Sequence, residues 1–324
     1  MTRGLKMKLV SLIVGSLIFL SSTISGSFAD TGIQLKAASF LPARSVYAKY
    51  FYRWVEEVND HCTGKMNIKI VGPEAVRSME QWRTLKDGVI DIHYGPPNYY
   101  KGVLIEGDVT VLANTSAAEQ RKNGAWEIIN ALHNEKLNAW YLTHIVDGVP
   151  FFIYTVKPTN NGRFDGFRLR STPIYDEFFR RLGAEPVRMP PPSLYTALER
   201  NTVDGYGWPL WGITDLGWDR HTKYRHGPGF FSAVINILVN LDRWNSLQEN
   251  QRRCLTDMAI WLEHHFPAWR TTENENQVAA QTSAGITYVD LGPSFPVLAH
   301  EIHWNVLMGA NPTAIGALRP LLVQ

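Results

Sequence analysis

The order of hydrophobic periods between residues 33 and 94 restricts the fold more than any other feature. Residues 33–40 read as a strand, broken by Leu41-Pro42. From Ser45, the apolar positions Val46, Tyr47, Tyr50, Phe51, Trp54, Val55 and Val58 recur at helical spacing until Thr63-Gly64. Residues 66–71 alternate as a strand, 79–86 form a short helix closed by Asp87-Gly88, and 89–94 are a third strand. Strands separated by helices share no hairpin, so they pair in parallel through crossovers. The chain therefore opens on a mostly parallel sheet with helices on its faces.

The alternation continues. Residues 116–138 read as one long helix with Trp126, Ile129, Leu132 and Leu137 as its apolar stripe. Strands are expected at 139–145, 151–156, 167–171, 186–189, 203–206 and 233–240. Helices are expected at 175–182, stopped by Gly183, and at 193–200. Residues 158–165 are a polar, turn-rich crossing. From Leu247 a helical pattern carries Leu255, Met258 and Leu262 on one face, and Pro267 is expected to kink or break it. The 324 residues suffice for one large domain or two medium ones, and no flexible linker separates two lobes.

A net charge of +2, from 32 basic and 30 acidic residues, lacks the basic excess of a nucleic-acid binder. Aromatic residues make up 12%, enough to furnish a core and an apolar ligand pocket as well. Arg3, Lys6 and Lys8 precede an apolar run at 9–20, and Ser27-Phe28-Ala29 supplies the small residues a signal peptidase reads. Residues 1–29 are thus expected to be a secretory signal peptide, with Asp30 the mature start. The apolar run is shorter than the ~20 residues a membrane span needs. Export permits a disulfide, and whether Cys62 and Cys254 pair stays open.

Residues 166–209 carry the most chemistry. A strand delivers Arg170 to the carboxyl end of a parallel sheet, the edge where open α/β sheets bind ligands. An Arg there offers a planar fork matched to a carboxylate. On spacing alone a surface Arg or a structural ion pair is the commoner outcome.

The run resembles the signature of the solute-binding proteins of tripartite ATP-independent periplasmic (TRAP) transporters, the DctP family. The matching residues are Gly166-Phe167-Arg168-Leu169-Arg170, then Leu182-Gly183-Ala184-Glu185-Pro186-Val187-Arg188-Met189. Tyr195-Thr196-Ala197-Leu198, Val203-Asp204-Gly205 and Pro209 follow in family order, and Trp244-Asn245-Ser246-Leu247 matches the entry into a long helix. The resemblance implies an α/β, two-lobed periplasmic-binding-protein fold. Each lobe is a mostly parallel sheet flanked by helices, and a long helix bridges the lobes. Residues 30–155 and about 236–265 would form lobe I, 156–235 lobe II, and 266–324 C-terminal helices packing across both.

By the same resemblance, Arg170 pairs with the carboxylate of a small organic ligand. The implied role is a non-enzymatic periplasmic protein that closes on its ligand by a hinge and delivers it to TRAP membrane permease subunits. Some members carry a second Arg where this chain reads Gly148-Val149-Pro150-Phe151, and Trp208 stands in place of a ligand-binding Asn. The chain is also shortened by two residues around Pro190-Pro191-Pro192. These departures point to a monocarboxylate with an apolar or aromatic body. Trp208, Trp211, Phe230 and Phe231 either wall such a ligand or pack between the lobes. Phe40, Glu74, Asn98 and Tyr99 follow first-lobe strands and are further candidate contacts.

No cofactor or metal is expected, since neither His264-His265 nor His300-Glu301-Ile302-His303 makes a metal-binding helix motif. A monomer is expected, with a dimer as the alternative. The rival functions are the binding protein of an ABC importer and a secreted carboxylate-processing enzyme. The long helix and the Arg170 signature argue against the first. The second lacks an activated nucleophile or acid–base pair.

Overall fold

The computed structural model describes residues 32–160 and 162–323 together with Met1. The expected signal peptide and its cleavage site at Ala29 lie outside the described residues. β1 (Ile33–Ser39) pairs in parallel with β2 (Met66–Val71), and α1 (Val46–His61) forms the crossover. Ser45 caps α1 by accepting a hydrogen bond from the Tyr47 amide. α2 (Gln81–Lys86) leads to β3 (Ile92–Gly95), which pairs in parallel with the other side of β1. α3 (Ala117–Asn123) and α4 (Ala125–Leu137) then precede β4 (Ala139–Ile145).

The chain next enters a second sheet. It contains β5 (Phe151–Thr155), β6 (Arg168–Ser171), β7 (Glu185–Arg188), β8 (Gly205–Pro209) and β9 (Tyr224–Gly227). α5 (Asp176–Arg181) and α6 (Leu194–Glu199) are its crossovers. The chain returns to the first sheet as β10 (Ile235–Asn240), followed by α7 (Leu241–Ser246) and α8 (Glu249–Ser283). β11 (Thr287–Asp290), α9 (Ser294–Ala310) and α10 (Pro312–Leu322) complete it.

The strand orders are β2-β1-β3-β10-β4 and β11-β9-β5-β8-β6-β7. In the first sheet β10 runs against both its neighbours, and in the second β5 does. These are the two strands that arrive directly from the other sheet. A strand entering from the interlobe edge must run opposite to strands whose carboxyl ends point there. The two crossings, at 146–150 and 228–234, lie side by side: the Phe151 amide donates to Phe231 O and the Ala233 amide to Val149 O. β5, which the sequence reading put in lobe I, therefore belongs to the second sheet, and the first crossing precedes it.

Several local expectations change. The single helix expected at 116–138 is two, broken at Gly124, whose φ of 92° lies in the left-handed region. α8 runs unbroken through Pro267, against the break expected there, and is anchored on both sides of it. Toward its first half, Trp54 Nε1 donates to Met258 O at 3.0 Å. Toward its end, Gln281 Nε2 donates to Leu210 O at 2.6 Å in the second lobe. α8 thus bridges the lobes, and the boundary expected at 265/266 falls within one helix. β9 and β11 were not anticipated; the residues of β11 are mostly exposed and show no apolar alternation.

Cys62, at the end of α1, is disulfide-bonded to Cys254 on α8, 192 residues away. Closing so long a loop restricts the unfolded chain strongly. Replacing both cysteines by Ala should lower unfolding stability by about 2–5 kcal/mol. Urea denaturation checks this, and an unchanged midpoint contradicts it.

Candidate functional site

The carboxyl ends of β1, β3, β6 and β8 and the starts of β5 and β10 converge on one cleft between the sheets. Phe40, Tyr47, Asn98 and Tyr99 line it from the first lobe with Pro96 and residues 233–235. Phe151, Arg170, Thr172, Tyr175, Trp208 and Pro209 line it from the second. The cleft and its mouth together hold about 430 Å³ of space, open solvent included.

Arg170 is the main polar feature of this cleft and is only 1% exposed. Its neighbours in sequence and register have charge partners: Arg168 pairs with Asp204 and Arg188 with Asp176. Among the described residues no carboxylate stands within ion-pair reach of Arg170. Its Nε donates to Met189 O at 3.1 Å, and its Nη1 donates to the Tyr175 hydroxyl at 3.0 Å and to Gly207 O at 3.4 Å. Nη2 has no acceptor among the described residues. The Trp208 ring faces the guanidinium, 5.4 Å from its carbon. A buried cation without a counter-ion is costly unless something supplies the missing charge.

Local sequence builds this arrangement. Tyr175 stands immediately before α5, and its hydroxyl donates to Gly207 O at 2.9 Å. A Cβ at Gly207 would fall 2.8 Å from Phe179 and 2.9 Å from Tyr175, so only glycine lets these rings close over β8. Burial pushes the Tyr175 phenol up in pKa, with Arg170 opposing. Burial likewise pushes Tyr99 up to about 12, again against the pull of Arg170. Both phenols are therefore neutral donors near pH 7.

Of the expected contacts, Arg170, Trp208, Phe40, Asn98 and Tyr99 come together in the cleft. Four do not line it. Glu74 is exposed beyond β2, which is the sheet's edge strand, so its carboxyl end lies to one side. Trp211 packs behind the wall against Tyr47 and Tyr50, and its carbonyl accepts the Trp208 indole N–H at 2.9 Å. Phe230 is buried among Phe178 and Phe295, and Phe231 packs on His300 and His303. Sequence reasoning missed Tyr47, Phe151, Thr172, Tyr175 and residues 233–235. Phe151 and Ile235 reach the cleft only because β5 and β10 are the reversed strands.

The lobes touch directly around the cleft. The Tyr47 hydroxyl donates to Trp211 O at 3.0 Å and the Val46 amide to Asp215 Oδ2 at 2.8 Å. Asn98 Nδ2 donates to Thr172 Oγ1 at 3.1 Å, and Lys101 Nζ to Pro173 O at 3.3 Å. Lys101 also lies 3.6 Å from the buried Asp108. Burial pushes the Asp108 carboxyl up to about 7, with Lys101 opposing. The folded state then holds this proton more tightly than the unfolded chain, whose carboxyl titrates near ~3.9. Stability relative to Asp108→Asn should therefore fall as pH rises from about 4 to about 7 and level off above. Melting curves of both proteins across this range check it, and parallel curves contradict it.

Residues 37–295 match the family described as DctP, bacterial extracellular solute-binding protein, family 7. Among solved structures, a marine metagenome TRAP solute-binding protein specific for aromatic acids, in complex with metahydroxyphenylacetate, is similar at a TM-score of 0.76 and 19% identity. That match covers 90% of this chain and 98% of the other. An extracytoplasmic solute receptor of Bordetella pertussis that binds pyroglutamic acid matches at 0.76 and 15%, covering 90% and 98%. A TRAP periplasmic solute-binding protein of Chromohalobacter salexigens with bound D-glucuronate matches at 0.77 and 14%, covering 89% and 99%. At these identities the likeness is one of fold. The family match spans most of the sequence, and the chain accordingly belongs to the DctP family of bacterial extracellular solute-binding proteins, family 7.

Proposed function

We propose that this protein captures a small organic monocarboxylate with an apolar or aromatic body and passes it to a TRAP membrane permease. The observation that carries the reading is the buried Arg170 guanidinium, without a counter-ion, at one wall of an otherwise largely apolar cleft. A ligand carboxylate would supply the missing charge. Phe40, Trp208, Phe151 and Ile235 would bury the body, and Asn98 would meet a polar group on it. Arg170 is the one charged residue lining the cleft among the described residues, which supports a single anionic group rather than a dicarboxylate or sugar acid.

Hinge closure is part of the proposal. Two adjacent crossings, α8 and the α9–α10 return connect the lobes, and the hydrogen bonds at 46–47, 98 and 101 would break on opening. Such a device is suited to enclosing a ligand, and closing dehydrates the charge pair and strengthens it. Membership of a solute-binding family disfavours an enzymatic role, and the long helix α8 with the Arg170 signature disfavours an ABC-importer partner.

A thermal-shift screen tests the reading, because a ligand that binds only the folded state raises the melting point. Benzoate, 3-hydroxyphenylacetate and branched aliphatic monocarboxylates should stabilise the protein. Stabilisation by dicarboxylates or glucuronate alone would contradict the ligand class.

A further inference from the structure

We infer that the ligand carboxylate is gripped across the cleft, one oxygen on Arg170 Nη2 in the second lobe and the other on the Tyr99 hydroxyl in the first. This rests on the carboxylate reading above and specifies how the group is held.

The first support is a count of donors. A guanidinium has five N–H groups, one on Nε and two on each Nη. The Nε donor is taken by Met189 O, and the two on Nη1 by the Tyr175 hydroxyl and Gly207 O. A two-pronged grip on one carboxylate uses either the Nη1–Nη2 or the Nε–Nη2 edge. Each of these edges already has one arm committed to the protein. Only Nη2 is free, so the second carboxylate oxygen needs a donor from elsewhere.

The second support is elimination among the other side-chain donors lining the cleft. The Trp208 indole and the Tyr47 hydroxyl both donate to Trp211 O. The Tyr175 hydroxyl donates to Gly207 O. Asn98 gives one of its two Nδ2 hydrogens to Thr172 and keeps the other for a polar group on the ligand body, and the Thr172 hydroxyl also serves Tyr175. The Tyr99 hydroxyl has no hydrogen-bond partner among the described residues, and it is the one lining hydroxyl left so. Its ring is fixed edge-on to Phe40, 6.2 Å between centroids, and its amide is tied to Pro96 O. Arg170 is near enough to pull on the phenol electrostatically, while burial keeps the proton in place. A neutral phenol beside a carboxylate is a charge-assisted donor.

The arrangement has a mechanical consequence. Each lobe contributes one donor to the same anionic group, so an ionised carboxylate draws the lobes together directly. A neutral ligand of the same shape would fill the cleft without that tie.

The test uses the full mature protein with 3-hydroxyphenylacetate, benzoate and pyroglutamate. In crystals of the wild-type complex with whichever of these binds, one carboxylate oxygen should lie within about 3 Å of Tyr99 Oη and the other within about 3 Å of Arg170 Nη2. By calorimetry Tyr99→Phe should bind that acid at least tenfold more weakly while its melting point without ligand stays that of the wild type. A carboxylate held by Arg170 alone, with Tyr99→Phe within twofold of wild type, overturns the bridging grip and leaves the carboxylate reading standing. A carboxylate lying away from Arg170, or no binding by any of the three acids, overturns both.

Discussion

The site depends on one unusual feature, a guanidinium buried in the second lobe with no carboxylate beside it among the described residues. Neutral acceptors offset part of its desolvation: two backbone carbonyls, a phenol and the face of Trp208. Much of the local structure exists to hold these in place. β6 carries Arg170 to the sheet edge, Gly207 makes room for the ring of Tyr175, and the entry to α5 fixes where that ring begins. What the neutral groups do not provide is a negative charge. A cleft that withholds the counter-ion from its own cation is selective for a ligand that brings one.

The second dependency is topological. Two sheets face the same cleft, each with one reversed strand, and those are the strands by which the chain passes between lobes. The crossings are hydrogen-bonded to each other and begin at the cleft itself. Phe151 and Ile235, the first residues of the reversed strands, are therefore both connector and wall. α8 fastens the same two bodies from outside, and the disulfide ties its first turns to α1. α9, packed on α5 and on residues 105–112, ties the lobes a further time, so movement between them would bend these few connections together.

Much of this was legible from local sequence. Arg170, Phe40, Asn98 and Tyr99 could be located because each follows or ends a strand, and carboxyl ends of parallel strands share an edge. Glu74 follows a strand too, but strand order decides which ends face the cleft, and nothing local records that β2 is at the edge. Trp211, Phe230 and Phe231 are apolar residues near the right strands, yet an aromatic side chain looks the same whether it lines a pocket or supports one. β9 and β11 lack alternation because one is short and polar and the other lies exposed at the sheet's rim. The break at Gly124 follows local chemistry, a glycine in the left-handed region ending a helix, whereas α8 continues through Pro267 against local propensity.

The most direct measurement of whether the isolated cation defines the site is calorimetric titration of Arg170→Gln with a monocarboxylate that binds the wild type. Truncating one member of a buried charge pair costs on the order of 3 kcal/mol, so affinity should fall roughly 100-fold. The melting point of the ligand-free variant should hold or rise, because an uncompensated buried charge has been removed. Affinity within twofold of the wild type would contradict the account.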